Sequence, residues 1–376
     1  MTGPISPCGG GAERVAGVAE GIAQPALLDV TAAPGIGAML TSAQIDAQPA
    51  AMAVLDFPSP RGTGVAFVAG AGGFIGSAAV AAFGRAGWRV AALGHPRRWA
   101  DVGPEPVSPV PWIEGDIDGH GLVAASEAVG RPEVIFHAAG GASVGASFAD
   151  PEADHRRTVG SLGQTLAFLR DRAPEARLIY PSSAAVYGEA AAGPIPESLA
   201  SAPVSPYGRH RVEAERLILE AAAGGLDAAV IRFFSVYGPG LRKQLLWELG
   251  NRLLAAPIQV ELAGHGDEAR DFLFVDDAMT LVGIAAGLER QAAPLLINGG
   301  AGRAASVRQI AETLAAALGG RSRIQFNGEV REGDPRSLVA DVARAGALGF
   351  EPAVSLTDGM SRMARWLLAL KAGATV

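Results

Sequence analysis

Short apolar segments alternate with longer amphipathic segments between residues 65 and 238. Apolar runs of about four to eight residues predict buried strands, and apolar residues that recur every three or four positions predict helices. Helices are expected between the strands, including a long amphipathic one at 154–173 and another that begins near Tyr207. The predicted strands lie at 65–70, 88–94, 111–117, 133–140, 176–183 and 227–238.

Alternation at this spacing predicts an α/β fold with a Rossmann-type, doubly wound parallel sheet. Beyond residue 239 the pattern is less regular, which is typical of a smaller α/β C-terminal lobe packed beside the sheet. The elements predicted there are a helix at 243–255, a strand pair near 258–266 and 270–279, and helices at 306–318 and 356–371.

The pattern divides the chain into a tail, a dinucleotide-binding domain and a substrate lobe. The domain is predicted at 61–234 with about 268–285, and the lobe at 235–267 and 286–376. Residues 1–60 are rich in Ala, Gly and Pro, which predicts a low-complexity, disordered tail. A start site assigned too early is an equally plain interpretation, because Met52 lies just ahead of the first predicted strand.

Composition and charge narrow the classes of function. The chain has 376 residues, of which 49% are hydrophobic, so it is long enough for two or three domains with a large core. Its net charge of −7 argues against a general nucleic-acid or anionic-membrane surface. The single cysteine, Cys8, excludes a disulfide framework and a Cys-rich metal site.

The same features bear on location. No apolar run is long enough to predict a transmembrane helix, and the first ten residues lack the basic start and apolar core of a secretory signal. We therefore expect a cytoplasmic protein without nucleic-acid or membrane partners and without a bound metal.

A glycine-rich turn joins the first predicted strand to its helix. Gly70, Gly73 and Gly76 have the spacing that a tight turn, a close approach to a pyrophosphate and a helix–strand contact require. The helix that starts at Phe74 and Ile75 would present its N–H groups to the phosphates. The turn therefore predicts dinucleotide binding.

The end of the second strand bears on the choice between NAD and NADP. A carboxylate there would bind the adenosine ribose, but this position is Gly94, and Arg97 and Arg98 follow it. This favours NADP or no discrimination, although the arginines could equally face solvent, so the choice stays open. Asp116 could accept a hydrogen bond from the adenine amino group.

Tyr207 and Arg211 are spaced to share one face of a helix. A phenol beside a fixed cation is a plausible acid–base device, because the cation favours the phenolate. Ser183 ends the fifth predicted strand. Ligands of open α/β sheets bind at the carboxyl ends of the strands, so we expect these three side chains to converge there.

Several stretches together resemble the extended short-chain dehydrogenase/reductase family, in particular its nucleotide-sugar epimerases and dehydratases. Each stretch is modest alone, but they follow the family order from about residue 65 to residue 360. The matching stretches are GAGGFIG, GDI, HAAG, YPSSAAVYG, YGRHR, RFFSVYGPG, RDFLFVDD and REGD.

The resemblance implies a tightly bound nicotinamide cofactor and a nucleoside-diphosphate sugar as substrate. By motif position, Tyr207 matches the catalytic tyrosine, Ser183 the catalytic hydroxyl with Ser182 as runner-up, and Arg211 the usual lysine. The implied cofactor-binding residues are Gly70, Gly73, Phe74, Ile75, Gly76, Arg97, Asp116, Ile117, Ala138, Ala139, Gly140, Tyr207 and Arg211. The implied substrate-binding residues are Ser183, Ser235, Arg270, Arg331 and Asp334.

Three residues depart from the family pattern. Arg211 replaces lysine, and Ser235 and Thr158 stand where asparagine is common. The dehydratases of the family usually carry Asp-Glu after the catalytic hydroxyl, whereas this chain has Ala184 and Ala185. The resemblance therefore favours epimerisation through a transient 4-keto sugar. A decarboxylase, dehydratase or reductase, or an impaired protein that binds cofactor and sugar nucleotide, remains the alternative.

Four further polar residues are of types that can transfer protons or bind metals, but we expect structural roles for them. His137 should pack at the end of the fourth strand, and His210 should face away from Tyr207. Asp276 and Asp277 are expected to cap a helix rather than bind a metal. By analogy with the family, the amphipathic helices at 152–173 and 206–223 imply a homodimer.

Overall fold

A computed structural model describes residues 57–95, 110–141, 143–190, 193–255, 258–291, 293–320, 322–329 and 335–373. The predicted tail as far as residue 56 lies outside these ranges, and so do three predicted site residues, Arg97, Arg331 and Asp334.

Within the described residues, the central sheet has seven parallel strands in the order β11-β7-β5-β4-β1-β2-β3. The strand order reverses between β1 and β4, which is where ligands bind in doubly wound sheets. The predicted Rossmann-type sheet is therefore confirmed. Its strands are β1 (Val65–Ala69), β2 (Arg89–Leu93), β3 (Trp112–Ile113), β4 (Val134–His137), β5 (Arg177–Ser183), β7 (Ala228–Phe233) and β11 (Leu295–Gly299).

Helices cover both faces of this sheet because its strands are buried on both sides. Ala66 and Val68 of β1 face the core beneath α1 and α8, while Phe67 and Ala69 face the core beneath α2, α5 and α6. The helices of this part are α1 (Phe74–Arg85), α2 (Gly119–Val129), α3 (Val144–Ala149), α4 (Pro151–His155), α5 (Ser161–Arg172), α6 (Pro206–Ala223) and α8 (Val275–Gly287), with a π turn (Arg156–Gly160) between α4 and α5.

The C-terminal lobe contains the remaining described elements. One mixed sheet has the order β12-β10-β14-β6, with β8 paired to β10, and a separate pair joins β13 to β9. The strands are β6 (Pro194–Ile195), β8 (Ser235–Tyr237), β9 (Gln259–Leu262), β10 (Ala269–Phe274), β12 (Ala304–Ser306), β13 (Arg323–Phe326) and β14 (Ser337–Ala340). The helices are α7 (Gln244–Leu254), α9 (Val307–Ala317), α10 (Ala343–Ala347) and α11 (Leu356–Lys371).

Two strand predictions were wrong in detail. The predicted strand at 227–238 is two strands, β7 and β8, which belong to different sheets on either side of Phe234. The predicted pairing of the segments near 258–266 and 270–279 does not occur, because β9 pairs with β13 while β10 pairs with β8, β12 and β14. Apolar runs indicate strands, but tertiary packing selects their partners.

The domain boundaries stay predictions, and the structure differs from them at several places. β6 and β10 belong to the lobe's sheet, although their residues were assigned to the dinucleotide-binding domain. β11 lies at the edge of the seven-stranded sheet, although its residues were assigned to the lobe. Phe57 and Pro58 belong to the predicted tail, but they pack against the end of α1 and the residue that precedes β2. The Phe57 and Phe83 ring centroids are 4.7 Å apart, and Trp88 Nε1 donates to the Pro58 carbonyl at 2.6 Å.

None of the helices in the described part of the chain is both long and apolar enough to cross a membrane.

Candidate active site

The glycine turn after β1 is built by positions that exclude a side chain. Gly70 has a φ of +81°, and a Cβ placed there would lie 2.6 Å from the Ala139 nitrogen. A Cβ on Gly76 would lie 2.1 Å from the Gly70 carbonyl oxygen. Because real Cβ atoms do not approach that closely, glycine at position 70 lets the turn pack against the segment after β4, and glycine at position 76 lets α1 pack against the turn.

The N-terminus of α1 is open to an anion. Gly73 occupies the N-cap and makes no side-chain capping bond, and the first turn carries no acidic residue. Helix N-terminal N–H groups favour negative charge, and no side chain of the cap competes for them. The turn and helix therefore fit the pyrophosphate of a dinucleotide cofactor.

The end of β2 carries no carboxylate, as the sequence indicates. Gly94 has a φ of +129°, and its carbonyl accepts a hydrogen bond from Trp112 Nε1 at 2.8 Å. The next residue, His95, lies 3.1 Å from Asp116, and both side chains are exposed. Asp116, which precedes the buried Ile117, therefore stays a candidate for the adenine, while Arg97 lies outside the described residues.

The segment after β4 lies between the glycine turn and the helix that carries Tyr207. The Ala138 nitrogen donates to the Ala69 carbonyl at 2.8 Å, which aligns this segment with the end of β1. A Cβ on Gly140 would lie 3.2 Å from both Arg211 Nη2 and Thr158 Oγ1. Ala138, Ala139 and Gly140 thus lie where the cofactor-binding prediction places them, at the switch point of the sheet.

Thr158 supports this segment from behind. It lies in the π turn, and its Oγ1 accepts a hydrogen bond from the Gly141 nitrogen at 2.8 Å. Single π turns inside helices are frequent at functional sites. The sequence identified Thr158 as a departure from the family but did not signal the π turn.

Tyr207 and Arg211 share one face at the start of α6, as predicted. Ser205 caps the helix and Pro206 occupies its first turn, while the Tyr207 nitrogen donates to Ser147 Oγ at 3.0 Å. The Arg211 guanidinium carbon lies 5.0 Å from the centroid of the Tyr207 ring. That separation is within the range of a cation–π contact, so the half-buried phenol lies beside a fixed cation.

Arg211 is deeply buried, with 5% of its surface exposed. Its Nη1 donates to the Tyr180 hydroxyl at 2.9 Å and to the Pro181 carbonyl at 3.2 Å, and its Nη2 donates to the Gly141 carbonyl at 3.0 Å. Its Nε is buried and has no hydrogen-bond partner among the described residues. Tyr180 begins the YPSSAAVYG stretch, but no local pattern indicates its contact with Arg211, because the two residues are 31 positions apart.

The two serines at the end of β5 have different surroundings. Ser182 is buried, and its Oγ donates to Glu215 Oε1 at 2.5 Å. Ser183 is half-buried, and its Oγ accepts from the Ala185 nitrogen at 3.2 Å. Ser182 is therefore committed to a structural hydrogen bond, and Ser183 is the better candidate for contact with a substrate.

The turn after Ser183 packs directly on α6. A Cβ on Gly208 would lie 2.6 Å from the Ala185 carbonyl oxygen, so glycine at this position permits the contact. Because Gly208 follows Tyr207, the Ser183 turn and the Tyr207 helix end meet at one place.

The two candidate histidines are engaged elsewhere. His137 is fully buried between Thr165 and Ser161, with nitrogen–oxygen distances of 3.0 and 3.2 Å. Burial, with a smaller contribution from the Arg211 charge, lowers the pKa of His137 to about 3. It is therefore neutral at physiological pH and cannot serve as an acid there. His210 Nδ1 lies 2.6 Å from Asp154 Oδ2.

Two predicted substrate residues lie on neighbouring strands of the lobe. Ser235 begins β8, which runs parallel to β10 with Ser235 opposite Phe272, two residues from the half-buried Arg270. Ser183 pairs with Phe233, so Ser235 follows closely after the end of β7. The structure thus places Ser235 and Arg270 on neighbouring strands, two positions apart in register, whereas Arg331 and Asp334 lie outside the described residues.

The predicted capping role of Asp276 and Asp277 was wrong. Both lie in the first turn of α8, but its N-cap is Phe274. The Asp277 carboxylate accepts from the Ala353 and Val354 nitrogens at 3.1 Å each, because the helix end packs against that later loop. The part of the chain that the structure describes contains no cluster of side chains able to hold a metal.

Comparison with known families gives one domain match. The model of the NAD dependent epimerase/dehydratase family matches residues 66–294, from β1 to the residue before β11. A UDP-glucose 4-epimerase of Azospirillum brasilense is 31% identical over 274 residues, which are 68% of this chain and 78% of that protein.

Solved structures give the same picture. MoeE5, solved in complex with UDP-glucuronic acid and NAD, superposes with a TM-score of 0.71 at 30% identity, covering 81% of this chain and 99% of that one. The UDP-glucose 4-epimerase of Thermotoga maritima, solved with UDP-glucose, has a TM-score of 0.71 at 26% identity, covering 82% of this chain and 99% of that one.

Proposed function

This chain belongs to the NAD-dependent epimerase/dehydratase family, and we propose that it epimerises UDP-activated sugars at C4 with a tightly bound nicotinamide cofactor. The observation that carries this proposal is the Tyr207–Arg211 pair, which lies beside the glycine turn and the Ser183 turn. A phenol, a fixed cation and a hydroxyl thus surround the switch point of the sheet.

The cofactor has a complete set of candidate contacts in the described chain. Gly70, Gly73 and Gly76 would admit its pyrophosphate, and Asp116 would accept from its adenine. Arg211, with its buried and unpaired Nε, would donate to the nicotinamide ribose. When bound, the cofactor supplies the reversible uptake and return of hydrogen at the sugar carbon. Both NAD and NADP fit these residues.

Tyr207 has the central role in proton transfer. As phenolate it takes the proton of the C4 hydroxyl, and it returns that proton after the sugar has presented its other face. Arg211 stabilises the phenolate by its charge, but it cannot relay the proton because a guanidinium stays protonated. Ser183 donates a hydrogen bond to the same oxygen. Together these residues would manage the proton in the interconversion of an alcohol and a 4-keto sugar, and the bound cofactor would supply the hydride chemistry.

The residues after Ser183 favour epimerisation over dehydration. Loss of a neighbouring group would require an additional acid–base pair at C5 and C6. Ala184 is buried and Ala185 half-buried, and neither side chain can transfer a proton. The site therefore favours reduction of the 4-keto sugar from either face over loss of a neighbouring group.

The nucleotide and diphosphate are assigned to the C-terminal lobe. Arg270 and Ser235 lie on the neighbouring strands β10 and β8, and Ser235 follows closely after the end of β7. Arginine forms paired, charge-assisted hydrogen bonds with a diphosphate. We propose this role for Arg270 and Arg331, and we propose that Asp334 binds the nucleoside. The relatives named above act on or bind UDP-sugars, which supports UDP as the nucleotide.

We also propose a cytoplasmic homodimer. Helices α5 and α6 are amphipathic and lie on the same side of the sheet. Phe148 of α3, next to this layer, exposes 59% of its surface. Family analogy and this exposed ring support a subunit interface, while the single cysteine suits a reducing compartment.

Turnover of a sugar-nucleotide panel tests the function. The purified protein is expected to interconvert UDP-glucose and UDP-galactose, or UDP-glucuronate and UDP-galacturonate, with products resolved by anion-exchange chromatography and NMR. The GDP-, CDP- and dTDP-sugars serve as nucleotide controls. Failure to interconvert any UDP-sugar, or release of a 4-keto-6-deoxy product or carbon dioxide, would overturn the proposal.

A further inference from the structure

We infer that Tyr180 is a positioning residue that adapts this active site to arginine at position 211. The inference rests on the proposed function, because it assigns Arg211 its place beside the catalytic phenol of Tyr207. Tyr180 lies on β5 behind the site and is fully buried.

The guanidinium of Arg211 is held at both terminal nitrogens. Nη1 donates to the Tyr180 hydroxyl and the Pro181 carbonyl, and Nη2 donates to the Gly141 carbonyl. The two carbonyls belong to the backbone, which any sequence would supply. The Tyr180 hydroxyl, 2.9 Å from Nη1, is the acceptor that depends on residue identity.

The Gly141 acceptor is itself fixed in place. Its nitrogen donates to Thr158 Oγ1 at 2.8 Å. A Cβ on Gly141 would lie 1.7 Å from Asp154 Oδ1, so only glycine fits against that carboxylate. The Gly141 carbonyl therefore gives Nη2 a rigid support. The Tyr180 hydroxyl, which accepts from Nη1, determines the plane of the guanidinium.

The planar guanidinium of arginine needs such support more than the ammonium of lysine does. Lysine presents one compact charge with three rotatable donors, whereas arginine must have acceptors in its plane at both ends to keep one orientation. Without the Tyr180 hydroxyl, Nη1 would retain the Pro181 carbonyl at 3.2 Å. The Arg211 guanidinium could then rotate, and both its Nε and its charge would move relative to Tyr207.

Tyr180 also positions the charge without cancelling it. Burial raises the pKa of Tyr180 to about 12, so the phenol is neutral at physiological pH. The neighbouring His137 ring, whose centroid is 6.3 Å from that of Tyr180, is also neutral. By contrast, the buried Arg232 pairs with the Glu215 carboxylate at 2.7 Å. Arg211 therefore keeps its full charge beside Tyr207.

A double-mutant cycle measures this role. Tyr180→Phe should lower kcat by about 10- to 100-fold in the native background, with KM for the UDP-sugar changed by less than about threefold. In the Arg211→Lys background, the same change should alter kcat by less than about threefold. An equal loss in both backgrounds, or a loss confined to KM, would overturn the inference.

Tyr187→Phe is the matched control. Tyr187 is equally buried, and its hydroxyl donates to Asn298 Oδ1 at 2.7 Å, away from Arg211. This variant should keep the kcat of the native protein even if its melting temperature falls. If the native protein turns over no sugar, the proposed function fails. If it turns over and Tyr180→Phe matches it, the role of Tyr180 alone is refuted.

Discussion

Replacing Tyr207 by phenylalanine is expected to lower kcat for UDP-sugar epimerisation by about 10³-fold, within the range that general acid–base groups contribute. The substitution removes one oxygen and keeps the ring that lies 5.0 Å from the Arg211 guanidinium. Packing and cofactor content should therefore be retained, because only the proton acceptor for the C4 hydroxyl is lost. Initial rates at saturating substrate, together with the cofactor released on denaturation, provide the measurement.

The buried Tyr187→Phe variant serves as the control for this change as well. It deletes the same atom from a tyrosine that bonds to Asn298 rather than to the site, so its kcat should stay within about twofold of the native value. A Tyr207→Phe protein that keeps more than a tenth of native activity would show that another group moves the proton.

Replacing Gly76 by alanine is expected to abolish cofactor retention and to destabilise the protein by about 1–3 kcal/mol or more. The added Cβ would lie 2.1 Å from the Gly70 carbonyl oxygen and 3.0 Å from Ala71 Cα, so α1 would have to move away from the glycine turn. Cofactor affinity should fall by at least about 100-fold, because the helix N-terminus then no longer meets the pyrophosphate. Calorimetric titration and thermal unfolding measure the two effects.

Gly84→Ala in the same helix provides a stringent control. A Cβ at Gly84 meets no atom within 4 Å, and alanine is favoured over glycine inside helices by up to about 1 kcal/mol. This variant should bind cofactor normally and unfold at a slightly higher temperature. If Gly76→Ala and Gly84→Ala behave alike, the close approach of α1 to the turn is not what binds the cofactor.

Local patterns were sufficient to predict much of the site. The spacing of Gly70, Gly73 and Gly76 reflects contacts within one turn, and the Tyr207–Arg211 spacing reflects one helix face. Both are properties of neighbouring residues, so they can be read from the chain. The preference for Ser183 over Ser182 stays a prediction, and the bond from Ser182 to Glu215, which supports it, joins residues 33 positions apart.

The features that the sequence did not predict depend on contacts between residues that are far apart in the chain. Tyr180 contacts Arg211 across 31 positions, and Asp277 holds the backbone of Ala353 across 76. No local pattern marks such pairs. The run at 227–238 has no glycine or proline before Gly238, so its sequence did not predict the step from one sheet to the other at Phe234. The π turn around Thr158 is also set by packing rather than by residue type.

The central claim is that hydrogen leaves C4 of the sugar and returns to the same carbon. UDP-glucose deuterated at C4 can be converted in ordinary water, and the product C4 position examined by NMR and mass spectrometry. Transient oxidation at the Tyr207 site predicts that the product retains the deuterium at C4. Replacement of that deuterium by solvent hydrogen would contradict the account, because it would indicate proton exchange instead of transfer to and from a bound cofactor.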